Sequence, residues 1–287
     1  MKKRVAAADA VAEEETPATP AAKPLFLVAS NEDAPTQFLN YFYATLYARA
    51  EGLPLVVYDS NTSVAPGAGL FRNTFYDQSG VTFVDSMMNS VIPIQRRAAQ
   101  MTAFLQKLKR DAIAEEAQLF FELNDAAGAR VRDYLKGVGP AALPHEYDVA
   151  VVFQPADAVS VGDRRGVSVV QYLSALRSFQ ARAGLQALRI FLASSDANFT
   201  FELKRQADKS WSFYSFPPSR VATATGSTPT LRMRQEAFTQ SLAELVVLQH
   251  APAVVGRFGS ALGRILYLTR EEPASFLALD GGVFRAV

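Results

Sequence analysis

From residue 24 onward, short apolar runs alternate along the chain with longer stretches in which apolar residues recur every three or four positions. Short runs bounded by turn residues predict buried strands, and the three-to-four spacing predicts helices with one face inward. Leu25 to Ala29 is the first run, and Asp33, at an N-cap position ahead of Pro35, predicts a helix directly after it. In that helix Phe38, Tyr41, Phe42, Thr45, Leu46 and Arg49 form a stripe that ends near Gly52. Leu55 to Tyr58 and Val81 to Val84 predict two further strands, with a Gly/Ser/Asn-bearing loop from Asp59 to Gly80 between them. A mostly helical stretch follows from Gln95 to Lys136, with breaks expected at Asn124 and Gly128.

Gly137 to Pro144 brings Gly, Pro and Ala in quick succession and is read as a boundary between two halves. Beyond it, Tyr147 to Phe153 is nearly continuous apolar sequence, as expected of a parallel strand covered on both faces. The alternation continues with a helix from Val167 to Ala183, a strand from Leu188 to Ala193, a helix near Phe199 to Gln206 and a strand near Trp211 to Tyr214. A loop from Phe216 to Arg232 leads to a helix near Gln235 to His250, a strand at Ala253 to Val255 and a helix from Ser260 to Leu268. This order predicts an α/β fold of two Rossmann-like halves, with parallel sheets flanked by helices. The expected units are a disordered tail at 1–23, an N-terminal α/β domain at 24–145 and a C-terminal Rossmann-like domain at 146–287.

Composition narrows the chemistry. The 287 residues are 49% apolar and 20% charged, which fits a globular chain with a large core. Lys plus Arg number 29 against 28 Asp plus Glu, so no global field draws the chain to nucleic acid, and no nucleic-acid partner is expected. No apolar stretch reaches the roughly 20 residues of a membrane helix. The start reads poorly as a signal peptide because Asp9 and Glu13 to Glu15 interrupt it. Cysteine is absent, which excludes disulfides and thiolate chemistry, and the two histidines, His145 and His250, lack metal-ligand spacing. A soluble, cytoplasmic chain is expected.

One stretch carries anion-binding physics of its own. A strand running through Gly256 into a helix that starts at Ser260 aims unpaired backbone N–H groups and the positive end of the helix dipole at one point. Arg257 and Arg264 add charge there. The alternative is that Gly259 and Gly263 only let the helix approach the sheet while the arginines are solvated. Asp196 ends a strand at the sheet's carboxyl edge, where open α/β folds bind ligands. It can take hydrogen bonds from a base or ribose, or it can cap the next helix. Gly162-Asp163-Arg164-Arg165-Gly166 is a glycine-bracketed basic turn, whose plain reading is an exposed lead into a helix. No G-x-G-x-x-G or P-loop fingerprint occurs.

Three segments in order make the second half resemble the core α1,6-fucosyltransferase and bacterial nodulation fucosyltransferase family. They are Tyr147 through Asp157, Ile190 through Asp196, and Glu244 through Arg264, the last the most specific. The segment Phe276 to Asp280 resembles that family's closing strand, and Pro24 to Phe75 is weakly similar to its first strand and helix. The resemblance implies two Rossmann-like halves of GT-B type and an inverting, metal-independent transfer of a sugar, fucose by that likeness, from a GDP-sugar donor to a glycan hydroxyl. It implies no other cofactor, and the chain has no Asp-x-Asp motif to hold a metal beside a diphosphate. The donor nucleotide would then lie against Asp157, Asp196, Glu244, Gly256, Arg257, Phe258, Gly259, Ser260 and Arg264.

At Gln154-Pro155 the family carries an arginine pair that neutralises the departing diphosphate, and losing such a clamp costs several kcal/mol of transition-state stabilisation. Asp163 as acceptor base, with Arg164 or Arg165 in place of the missing clamp, is the compensation the sequence offers. The competing expectation is a catalytically degenerate module that binds nucleotide or glycan, or serves structurally, without turnover.

Overall fold

The structure, a computed structural model, describes residues 25–28, 34–58, 81–84, 92–93, 98–138, 147–154, 167–217, 230–281 and 284. Two parallel sheets carry the chain. The first contains β1 (Leu25–Val28), β2 (Leu55–Tyr58), β3 (Val81–Val84) and β4 (Ile92–Pro93), in the order β3-β2-β1-β4. The second contains β5 (Val149–Phe153), β6 (Leu188–Ser194), β7 (Trp211–Tyr214), β8 (Val254–Gly256) and β9 (Phe276–Ala278), in the order β7-β6-β5-β8-β9. Every pairing in both sheets is parallel. All carboxyl ends of a sheet therefore share one edge, and strand order reverses at β5, between β6 and β8.

The helices are α1 (Ala34–Ala50), α2 (Ala98–Leu105), α3 (Arg110–Phe120), α4 (Asp125–Val138), α5 (Val169–Ala183), α6 (Ala197–Gln206), α7 (Leu231–His250) and α8 (Ala261–Thr269). The long helical stretch predicted before residue 137 is thus three helices. Asn124 does end a segment, since its Oδ1 accepts from the Ala127 amide at 2.8 Å and so caps α4. Gly128 lies inside α4 and breaks nothing, because a single glycine weakens a helix by only about 1 kcal/mol. β4 had no signal in the sequence: it is two residues long and one of them is proline.

The expected stripe on α1 is a helix buried nearly all round. Phe38, Leu39 and the run Tyr41 to Ala48 are all buried, because α1 packs on β1 and β2 on one side and on α2, α7 and α8 on the others. Phe42 meets Phe120 and Phe121 with ring centroids 5.2 and 5.5 Å apart. Helices of the chain's first half also cover the second: α3 packs on α8, and α4 packs on α7. One hydrophobic cluster accordingly runs from Phe38 through Phe120, Tyr147 and Phe191 to Phe276. The other face of the second sheet has its own cluster, in which Val151, Ile190 and Leu192 lie under Tyr172, Leu176 and Phe199 of α5 and α6.

Candidate functional site at the carboxyl edge of the second sheet

β8 ends at Gly256, and a three-residue turn leads to Ser260, the N-cap of α8. Ser260 Oγ accepts from the Gly263 amide at 3.0 Å and donates to the Arg257 carbonyl at 3.3 Å, which ties the turn to the helix it precedes. Arg264 Nε donates to the Phe258 carbonyl at 2.7 Å. The sequence places glycines where the turn is tightest. A Cβ on Gly256 would sit 3.2 Å from the Phe276 ring, so this glycine lets that ring cross β8. Phe258 turns its ring away from the edge into an aromatic group, at 4.7 Å from Tyr267, 5.3 Å from Phe276 and 5.9 Å from Phe284. Only its backbone is left for a ligand.

The turn already holds an anion. The Gly259 amide donates to Asp280 Oδ2 at 2.9 Å, and a Cβ on Gly259 would lie 3.4 Å from Arg257 Nη2 and 3.6 Å from that carboxylate oxygen. The second oxygen, Asp280 Oδ1, is buried without a hydrogen-bond partner, as are Arg257 Nε and Gln154 Oε1. These three orphaned atoms belong to the carboxyl ends of β9, β8 and β5, three neighbouring strands. Each buried polar atom left unpaired costs about 1–3 kcal/mol, so the edge carries polar capacity that its own residues do not use. Tyr43 of α1 adds a buried, unpartnered hydroxyl. Burial raises its pKa above the usual phenol range, while the charge of Arg264 acts against that rise.

Two further residues named from the sequence stand elsewhere. Asp196 is the N-cap of α6, its Oδ1 accepting from the Phe199 amide at 2.9 Å. It stands at the end of β6, two strands from β8 and so about 10 Å across the sheet. Glu244, half-buried on α7, is next to Tyr134 of α4, whose pKa rises through burial and the nearby Glu244 charge. Burial pushes the Glu244 carboxyl up to about 7. Asp157, Asp163, Arg164 and Arg165 lie outside the described residues. Asp280 carried no role in the sequence beyond its place in the closing strand. No local pattern signals its contact, because the amide it meets lies 21 residues away in the chain.

At the opposite, amino edge of β8 and β9, a cleft of about 480 Å³ is bordered by Phe121, Glu122, His250, Arg270, Glu271 and Ser275. Arg270 is committed to structure there. It donates to the Leu248 carbonyl at 3.3 Å, to the Ala251 carbonyl and to Ser275 Oγ at 2.6 Å, and so closes the C-terminus of α7. Burial pulls its pKa below the ordinary guanidinium value. Among the described residues no helix is long and apolar enough to cross a membrane.

The strand order and the edge turn define an α/β protein with parallel sheets flanked by helices. Its architecture is similar to that of solved fucosyltransferases. A crystal structure of NodZ α-1,6-fucosyltransferase soaked with GDP-fucose is similar over 86% of this chain and 93% of that one, with a TM-score of 0.52 at 15% identity. NodZ from Bradyrhizobium is similar over 87% and 94%, with a TM-score of 0.51 at 14% identity. POFUT1 in complex with GDP-fucose is similar over 91% and 98%, with a TM-score of 0.50 at 9% identity. At such identities the likeness is one of fold. No protein-family description and no curated protein matches the sequence.

Proposed function

We propose that the chain is a glycosyltransferase of fucosyltransferase type, which takes a GDP-sugar, GDP-fucose in this reading, and passes the sugar to a glycan hydroxyl. The observation that carries this reading is the oxyanion on the Gly259 amide, at the β8–α8 turn beside Arg257. A turn that accepts a carboxylate there offers the same N–H group and helix-dipole field to a nucleotide diphosphate. The shared fold with NodZ and POFUT1 supports the choice of donor. In this reading the two sheets belong to the two halves of a GT-B enzyme. Gly256, Arg257, Phe258, Gly259, Ser260 and Arg264 surround the diphosphate, and Asp157, Asp196 and Glu244 reach the nucleoside. Asp163 takes the proton of the acceptor hydroxyl as its oxygen attacks the anomeric carbon. The bond from that carbon to the diphosphate breaks with inversion, and Arg164 or Arg165 steadies the charge that grows on GDP. No metal is required by this scheme.

A second reading is favoured by one specific observation: Gln154 stands where the resembled family has arginine, and its Oε1 is buried and unpartnered rather than charged. A module that binds nucleotide without turnover fits that change. Incubation with GDP-fucose and a glycan acceptor, with release of GDP followed against time, separates the two. Acceptor-dependent GDP release supports the enzyme; GDP binding by calorimetry without release supports the module. Failure to bind GDP at millimolar concentration would remove both.

A further inference from the structure

We propose that Asp280 is a resident stopper: its carboxylate holds the place of ligand phosphate on the Gly259 amide, and the turn admits an anion only when that carboxylate swings away. The inference rests on the reading of the β8–α8 turn as an anion site.

The geometry is that of a substitute that fits only in part. Asp280 satisfies one backbone amide, at 2.9 Å, through one oxygen. Its other oxygen is buried without a partner, and so is Arg257 Nε, although Arg257 Nη2 and Asp280 Oδ2 flank the same bare α-carbon of Gly259. No ion pair joins Arg257 and Asp280 among the described residues. A carboxylate has two oxygens at a fixed angle, whereas a phosphate offers three terminal oxygens around a tetrahedral centre. Phosphate can therefore accept from the Gly259 amide and from Arg257 Nε at once. Exchange of Asp280 for phosphate replaces an anion with one bond by an anion with several.

The chain around Asp280 is built for such exchange. The Leu279 amide donates to the Gly256 carbonyl at 2.9 Å, which fixes the strand side. Phe284 rests on Tyr267, with centroids 5.2 Å apart, and on Phe258, which fixes the far side. Between these anchors Gly281 has φ 60°, a left-handed conformation that glycine leaves at little expense. The backbone can therefore turn at the Asp280–Gly281 step. An internal competitor tethered this closely acts at a high effective concentration, so it weakens the binding of any free anion.

The test is calorimetric titration of inorganic pyrophosphate and of GDP into the full chain, its Asp280→Asn variant and its Phe284→Ala variant. In parallel, the Gly259 amide resonance is followed in glycine-labelled protein. Asn keeps an oxygen for the Gly259 amide and removes the charge. Both ligands should bind Asp280→Asn at least tenfold more tightly than wild type, with a smaller gain for Phe284→Ala, and pyrophosphate should shift the Gly259 resonance. Equal or weaker pyrophosphate binding by Asp280→Asn overturns the stopper. Should Asp280→Asn not fold, unchanged affinity in Phe284→Ala overturns it equally. Tighter pyrophosphate binding without any GDP binding leaves the stopper standing and rejects the nucleotide reading. GDP binding that is identical in all three proteins does the reverse. If no anion binds any of them, both are rejected.

Discussion

Gly263 lies directly beneath the carbonyl group of Arg257: a Cβ at this position would collide with the carbonyl oxygen and stand 3.0 Å from the carbonyl carbon and 2.8 Å from Ser260 Oγ. The contact sets the height of the turn above α8. Gly263→Ala should push the 257–259 segment outward and break the Ser260 cap. A loss of about 1–3 kcal/mol is expected, read as a lower thermal midpoint, together with weaker GDP binding. Unchanged stability would mean that the turn is held by something other than this approach.

Asp196 offers a clean separation of two roles. Asp196→Ala removes the α6 cap and should destabilise the protein by about 1 kcal/mol. Asp196→Asn keeps a capping oxygen and removes only the charge, so it should fold with wild-type stability. A tenfold loss of GDP affinity in Asp196→Asn is expected if the carboxylate reaches the nucleoside. Wild-type affinity would confine Asp196 to its helix.

Glu244 makes stability depend on pH. Its carboxyl ionises near 4.5 in the unfolded chain and near 7 in the folded protein, because burial beside α4 disfavours the charge. The folded state is thus at its strongest below about pH 4.5 with respect to this group, loses stability as pH climbs from there to about 7, and is level above that. Glu244→Gln should abolish this slope and raise stability at pH 8, on the order of 3 kcal/mol. Denaturant midpoints at pH 5 and pH 8 check it; a variant that parallels wild type at both values refutes the assignment.

Tyr43→Phe removes a buried hydroxyl without a partner and keeps the ring. Stability should increase by about 1 kcal/mol, with a thermal midpoint a few degrees higher. A fall in the midpoint would mean that the hydroxyl makes a bond in solution. Because Tyr43 stands near Arg264, GDP titration of the same variant reports whether the hydroxyl is reserved for a ligand.

The strands of the second sheet were legible because β5 and β8 and all of β6 but Arg189 and Ser194 are buried or nearly so on both faces, which leaves few polar positions to blur them. The β8–α8 turn was legible for a different reason: Ser260 caps α8 and Gly263 makes room for the Arg257 carbonyl, so both are demanded by the local geometry. What the sequence hid was contact between distant segments. Nothing local to Asp280 says that its carboxylate meets an amide 21 residues away. The all-round burial of α1 was hidden because Tyr43 and Tyr47, polar at one end, occupy positions that look exposed in a stripe. The half-burial of Glu244 was hidden in the same way: α4 packs on α7 beside it, which the spacing of residues on α7 does not record.

The placement of α1 between the first sheet and helices α7 and α8 has a thermodynamic corollary. Ten of its side chains serve both ends of the molecule as one interior, so neither end can melt while the other keeps its hydrocarbon dry. Scanning calorimetry should record a single endotherm whose calorimetric and van't Hoff enthalpies agree, and a fragment starting at residue 146 should expose α7 and α8 to water and precipitate rather than fold.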